Sequence, residues 1–373
     1  MGQAVQKAAR EGMRVRCAGA GHSHAPLVPT PGLLLDLAAL SGVLRVEAEA
    51  GEAEIWAGTR IHALGEPLRE AGVALRNQGD IDRQSLAGAI ATGTHGTGLR
   101  LQNLSASVRG LGLVLADGTR VDCDAHQHAE LFQAARLSLG ALGVVTRVRM
   151  AVRPAYRLEE KMWLEDLDQV LERIDDLTSA TRHFEFFWTP GHARAACKSL
   201  SETTQAPRYP LAGEGKRLAW SDEVLANDRP LKHSEMEYAV PAAQGPACLR
   251  ALRALVKRDF KALSWPLEYR TLAADEVWLS CAYQRETVTL SVHQGIEEEA
   301  EPLFRACEEI FRAHEGRPHW GKVHYLAGPE LAGIHPRYED WWRVRDAADP
   351  EGRFLNRHLE QLRPSLSGGP GRR

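Results

Sequence analysis

The chain predicts a two-domain α+β protein, and three observations carry that reading. Its 373 residues are roughly two domains' worth at about 150 residues each. Short β-like runs alternate with helical segments ending at glycine through the first part of the chain. Arg153-Pro154-Ala155-Tyr156 then interrupts the pattern before it restarts, which places the expected domains at 1–152 and 153–373.

Taken in order, MGQAVQKAAREGMRVR alternates charge with alanine as a surface helix does. RVRCAG, LLLDL, VLRVEAEAGEAEIWAGT and GALGVVTRVRMAV have strand character, and RIHALGEPLREAG and QHAELFQAARLSLG are helical. In VRGLGLVLADGTRVDC two apolar runs flank Asp117-Gly118, the strongest short-range hairpin signal. Beyond the boundary, LEDLDQVLERIDDLTSA predicts one helix and RHFEFFWTP a strand. The polar stretch from Lys198 to Ser234, with Pro207, Pro210 and Pro230, predicts a long loop region. EMEYAVP is a strand, ACLRALRALVKRDF a helix, LEYRTLAADEVWLSCAYQRETVTLSVHQ a strand pair and EPLFRACEEIFRAHEG a helix. The tail SLSGGPGRR is too short and glycine-rich to order itself.

A composition of 44% hydrophobic and 25% charged residues excludes collagenous, low-complexity and disordered classes. With 46 Lys and Arg against 49 Asp and Glu there is no basic excess for nucleic acid. Six cysteines without CxxC spacing argue for reduced thiols and against a disulfide framework. The absence of a signal-peptide core and of any apolar run near 20 residues points to a cytoplasmic protein with no membrane span.

Two segments carry chemistry. In VRCAGAGHSH, Gly19 and Gly21 among alanines let backbone approach a ligand and form an anion-binding nest suited to phosphate. A Rossmann site is excluded, since His24 replaces the third glycine and Pro26, Pro29 and Pro31 forbid the following helix. In NQGDIDRQSLAGAIATGTHGTG, small residues and hydroxyls could lie against a flat ring and a pyrophosphate. Either segment alone is read as readily as a set of tight turns. His22/His24 and His126/His128 have HxH spacing, but no third ligand lies at a supporting distance, so no metal is expected and His24 is placed at the surface.

Together, AGAGHS, GDIDRQSLAGAIATGTHGTG, GLGLVLADG, GALGVVT, EMEYAVP, PLEYRTLAADEVWLS, RPHWGKVHY and VRDAADPEGRFLN resemble the vanillyl-alcohol oxidase flavoprotein family. The likeness is to its branch of aldonolactone oxidases and dehydrogenases and alditol oxidases. The resemblance implies a PCMH-type FAD-binding domain followed by a substrate (cap) domain with an antiparallel sheet. It implies FAD linked covalently through His22, which raises the reduction potential and prevents dissociation. Ala18, Gly19, Ala20, Gly21, His22 and Ser23 would hold the pyrophosphate. Thr92, Thr97, Ser105, Ala106 and Ser107 would contact flavin, and Val145 adenine. Relatives carry a further segment before the first helix, so this chain is expected to lack an edge of the adenine half.

Glu268 and Arg270, two apart in LEYR, share a strand face and suit a hydroxylated ligand or, equally, an exposed ion pair. The resemblance places them in the substrate pocket and Lys322 of HWGK beside the flavin, where a cation stabilises the reduced ring. His293 of LSVHQ could polarise a hydroxyl or act as base, or be a satisfied core residue. His319 and Trp320 would orient the Lys322 segment. The implied reaction is hydride transfer from a sugar lactone to flavin N5, with oxygen or a redox dye or protein as final acceptor. Oxidation of a polyol such as xylitol or sorbitol, yielding hydrogen peroxide, is the alternative, and a non-catalytic flavin-fold binding protein a further one. Ser291, Val292 and His293 favour the lactone, as a closed ring needs fewer donors than an open polyol.

Overall fold

Val, Ile and Leu at alternate positions give the first half of the chain strands with one apolar face, and they assemble into a six-stranded sheet in the structure, a computed structural model describing residues 1–364. The sheet path runs Val43–Glu47, Glu52–Trp56, Val144–Pro154, Val108–Val114, Arg120–Asp124, with Val73–Leu75 paired to the far end of Val144–Pro154. Ile55, Leu111 and Val148 of its buried face pack with Ile90 of helix Leu86–Thr92 and Phe132 of helix Ala129–Ala135. The Asp117-Gly118 turn closes a hairpin in which Val114 faces Arg120, and Gly118 takes φ +83°. Val15–Ala18 and Leu33–Asp36 form a separate parallel pair under helix Gly2–Arg10.

The second half builds an eight-stranded antiparallel sheet. Its order is Leu218–Trp220, Arg157–Asp166, Arg194–Thr203, His183–Trp188, Leu267–Leu272, Thr287–Gly295, His233–Pro241, Arg317–Pro318. On the four central strands Phe184, Phe186, Trp188, Leu267, Tyr269, Leu290, Val292, Met236, Tyr238 and Val240 face a core shared with helices Gly245–Asp259 and Glu301–Ala313. The intervening residues face the other way, so Glu185, Glu268, Arg270, His293, Glu235 and Glu237 share the opposite face.

Two expectations are revised, and the domain boundary is crossed by a strand. The predicted loop from Lys198 to Ser234 contains the end of strand Arg194–Thr203, strand Leu218–Trp220 and helix Ser221–Leu225. Strand Arg194–Thr203 was hidden because both of its faces mix polar and apolar residues, Lys198 and Ser199 being buried beside Cys197 and Leu200, so alternation shows no apolar–polar contrast. The single helix of LEDLDQVLERIDDLTSA is two, Leu167–Glu172 and Ile174–Ala180, parted at Arg173 with φ −108°. Strand Val144–Pro154 runs past the expected 152/153 boundary, and the chain end returns to the first half, where Phe354 packs with Val5 and Val15 and its carbonyl accepts from Arg16. The tail SLSGGPGRR lies outside the described residues. Among those described, no helix is long and apolar enough to cross a membrane.

Candidate active site

Two neighbouring cavities share Gln84 in their linings, the larger between the two halves and the smaller within the first. The smaller, about 340 Å³, is walled by the irregular loop that follows strand Val15–Ala18, with Ala18, Gly19, Ala20, Gly21, His22 and Ser23 all in its lining. Thr92 and Val145 line it as well. Gly21 has φ +73°, the left-handed region open to glycine, and a Cβ on Gly19 would stand 2.4 Å from Ser85 Oγ. His22 stays neutral, since burial and the positive charges of Arg60 and Lys322 lower its pKa.

Thr97 and Ser105 to Ser107 line neither cavity. The Thr97 hydroxyl donates to the Phe184 carbonyl at 2.6 Å, and that of Ser105, fully buried, to Ile90 at 2.7 Å. Their side chains fasten elements together instead of facing a ligand.

The larger cavity, about 740 Å³, has the polar face of the antiparallel sheet as its floor and includes Glu268, Arg270, His293 and Lys322 in its lining. Strand register brings them together: Glu185 lies opposite Arg270, Glu268 opposite Ser291, and Glu235 opposite His293. Phe187, Met162, Trp265, Pro266 and Leu231 form an apolar wall. Ser291 and Val292, however, do not line this cavity. Val292 points into the core on the opposite face, and Ser291 donates to Glu237 at 2.9 Å.

Arg270 makes ion pairs with Glu268 and, at 3.3 Å, with Glu185. One guanidinium cannot hold both carboxyls ionised in a buried site that also feels Glu235 and Asp80. Glu268 takes the proton. Its Oε1 has no hydrogen bond, and burial, opposed by Arg270 but reinforced by Glu185, pushes its pKa up to about 8. Glu185 has a further cation in Lys198, buried at 3.3 Å, which also stands 3.6 Å from Asp80.

His293 Nδ1 is 2.8 Å from the Pro266 carbonyl and therefore carries the hydrogen, which leaves a lone pair on Nε2. Burial lowers its pKa, so the ring is neutral. Lys322 is paired with Glu235, whose carboxylate is approached by His293 at 3.7 Å, His233 at 3.6 Å and His24 at 3.8 Å. Burial alone would raise Glu235, but Lys322 holds it well below the usual carboxylate range. His24 is thus not a surface residue. Its backbone N–H donates to Gly321 at 2.7 Å, which turns the ring toward the sheet.

Sequence reasoning missed Glu235, Glu237 and His95. His95 bridges the Gly96 carbonyl at 2.8 Å and Glu237 at 2.9 Å. His95 and its neighbours hold Glu237 far below the usual range against the effect of burial. The signal was present: in EMEYAVP the carboxylates alternate with Met236, Tyr238 and Val240, the same period-two pattern that singled out Glu268 and Arg270.

An elongated dinucleotide fits this arrangement. The glycine-walled cavity suits a pyrophosphate at close backbone approach, and Gln84 Oε1, buried without a hydrogen bond, sits where the two cavities meet. A family model described as an FAD binding domain matches residues 2–124, and one described as D-arabinono-1,4-lactone oxidase matches residues 148–221 and 208–362. The L-gulono-1,4-lactone dehydrogenase of Mycobacterium tuberculosis is 34% identical, over 96% of this chain and 92% of its own. The alditol oxidase of a Streptomyces species is 31% identical, over 93% and 90%. The crystal structure of cholesterol oxidase from B. sterolicum superposes with a TM-score of 0.85 at 14% identity, covering 97% of this chain and 92% of that one, which shows a shared fold.

Proposed function

Because this chain belongs to the D-arabinono-1,4-lactone oxidase family, we propose that it is an FAD-dependent enzyme that oxidises an aldonolactone such as L-gulono-1,4-lactone or D-arabinono-1,4-lactone. The observation that carries this is the meeting of Glu268, Arg270, His293 and Lys322 in one cavity beside the glycine loop that bears His22. FAD, when bound, accepts the hydride released from the substrate carbon.

The residues divide the remaining work. Arg270 donates to the lactone oxygens, and protonated Glu268 donates to a neighbouring hydroxyl. His293 Nε2 takes the proton of the hydroxyl being oxidised, and Glu235, 3.7 Å away, stabilises the imidazolium that results. Lys322 holds positive charge at the cavity as the cofactor gains negative charge, a preorganised contribution that costs no reorganisation. Phe187 and Trp265 cover the apolar face of the ring and exclude water. The neutral ring of His22 supports its role as the covalent attachment point, and Ala18 to Ser23, Thr92 and Val145 as the cradle. Ser105 supports that cradle through its bond to helix Leu86–Thr92, and Thr97 ties the neighbouring loop to the antiparallel sheet.

A lactone is favoured over a polyol because His293 is the one residue among Ser291, Val292 and His293 in the cavity lining. The final electron acceptor is oxygen or a redox dye or protein. Six free thiols, five of them buried, support a reducing, cytoplasmic setting. Anaerobic mixing of the flavin-loaded protein with L-gulono-1,4-lactone, D-arabinono-1,4-lactone, xylitol and sorbitol tests the reading. Faster bleaching of the flavin band by a lactone is expected. Faster bleaching by xylitol or sorbitol would transfer the assignment to alditol oxidation, and no bleaching by any would leave a binding protein.

A further inference from the structure

We propose that His24, His233 and Glu235 form a binding site for a divalent transition-metal ion of the zinc class, at the joint between the glycine-rich loop and the antiparallel sheet. The site goes beyond the oxidation reaction, which needs none of its metal chemistry.

Both imidazoles address a single carboxylate oxygen. His24 Nε2 lies 3.8 Å and His233 Nε2 3.6 Å from Glu235 Oε2, and the three donor atoms all lie within 4.8 Å of one another. Zinc–nitrogen and zinc–oxygen bonds near 2.0–2.1 Å in a tetrahedron place neighbouring donors about 3.3–3.4 Å apart. The two histidine–carboxylate edges are therefore a few tenths of an ångström wide of that geometry, and the edge between the imidazoles lies within 4.8 Å, so side-chain rotations close the site around an ion.

The ring orientations are those of ligands. His233 Nδ1 is 3.1 Å from the Leu231 carbonyl, so it carries the hydrogen and Nε2 is the nitrogen that faces Glu235 and gives up its proton to a metal. His24 is turned inward by its backbone bond to Gly321. Two imidazoles and one carboxylate select zinc, cobalt or nickel over magnesium or calcium, which prefer all-oxygen shells. Water completes the fourth position.

Glu235 also holds Lys322. A dication on the same carboxylate oxygen competes with that ammonium and repels it, so metal binding draws Lys322 out of its place at the cavity. The site is then inhibitory, and it locks the glycine loop to the sheet.

The test uses flavin-loaded enzyme stripped of metal with a chelator. Titration calorimetry with Zn²⁺ is expected to show one saturable equivalent per chain, and Co²⁺ to give d–d absorption to the red of the flavin band. His24→Ala and His233→Ala should each weaken Zn²⁺ binding about a hundredfold or more, since even loss of a supporting outer partner costs ten- to a hundredfold. The Zn²⁺ concentration that halves lactone oxidation, relative to each variant's own metal-free rate, should rise by the same factor. The flavin spectrum of each variant reports that it has folded. Absence of a saturable equivalent, wild-type Zn²⁺ affinity in both variants, or Mg²⁺ binding as tight as Zn²⁺ would overturn the proposal.

Discussion

Replacing Glu268 by Gln keeps the shape of the side chain and removes its proton equilibrium, which makes it a direct probe of the protonated carboxyl beneath the cavity. Below the ordinary value of 4.5 both the folded and unfolded states hold the proton. Between there and about 8 only the folded state does, so the unfolded state gains and stability falls as pH rises. Each pH unit in that window removes about 1.4 kcal/mol, and the loss levels off above the folded value at a ceiling of about 5 kcal/mol. The Gln variant has no such loss. Its stability relative to wild type should rise by about 3 kcal/mol between about pH 5 and pH 7 and change little beyond about pH 9. Urea unfolding of the flavin-loaded proteins, followed by circular dichroism across this range, measures the difference. Parallel stability curves for the two proteins would refute the reasoning, since they would mean that Glu268 ionises as readily inside as outside.

Three further outcomes are expected. Lys322→Ala should retain flavin yet slow its anaerobic reduction by lactone on the order of a hundredfold in stopped-flow measurements, as loss of one preorganised charge does; an unchanged rate would remove Lys322 from the reaction. His22→Ala should release flavin to the supernatant on acid precipitation while the wild-type pellet stays yellow, and a colourless wild-type pellet would end the covalent assignment. Glu237→Ala, which strands buried His95, should cost about 3–5 kcal/mol in denaturant unfolding, whereas Glu237→Gln, able to keep both hydrogen bonds, should cost clearly less; equal losses would show that the hydrogen bonds of Glu237 contribute nothing beyond its charge.

Where local pattern and tertiary environment agree, the elements were legible. Asp117-Gly118 specifies its hairpin because the turn geometry is a property of two residues. The pairing of Glu268 with Arg270 on one face follows from the period of a strand alone. Strand Arg194–Thr203 was not legible, because Lys198 is charged and still buried among Glu185, Asp80 and Glu160. A polar residue inside a folded protein looks in sequence like a polar residue outside it. The hydroxyls of Thr97 and Ser105 bond to backbone carbonyls, an outcome that local pattern does not decide, since a small polar residue in a glycine-rich run serves a ligand or a carbonyl equally well.

By itself the sequence determined the α+β class, the glycine-rich turn with its histidine, and the alternation that puts Glu268 and Arg270 on one strand face, since each depends on neighbours within a few residues. Only the tertiary structure decided what surrounds them. It set Glu235 among Lys322, His24, His233 and His293, residues drawn from four separate stretches of chain, and it put Val292 in the core while His293, one residue on, reaches the cavity. It also decided that Glu268 keeps its proton. That charge state depends on desolvation and on Arg270, Glu185, Glu235 and Asp80 acting together across the fold, and electrostatics of that kind depends on distance in space rather than distance along the chain.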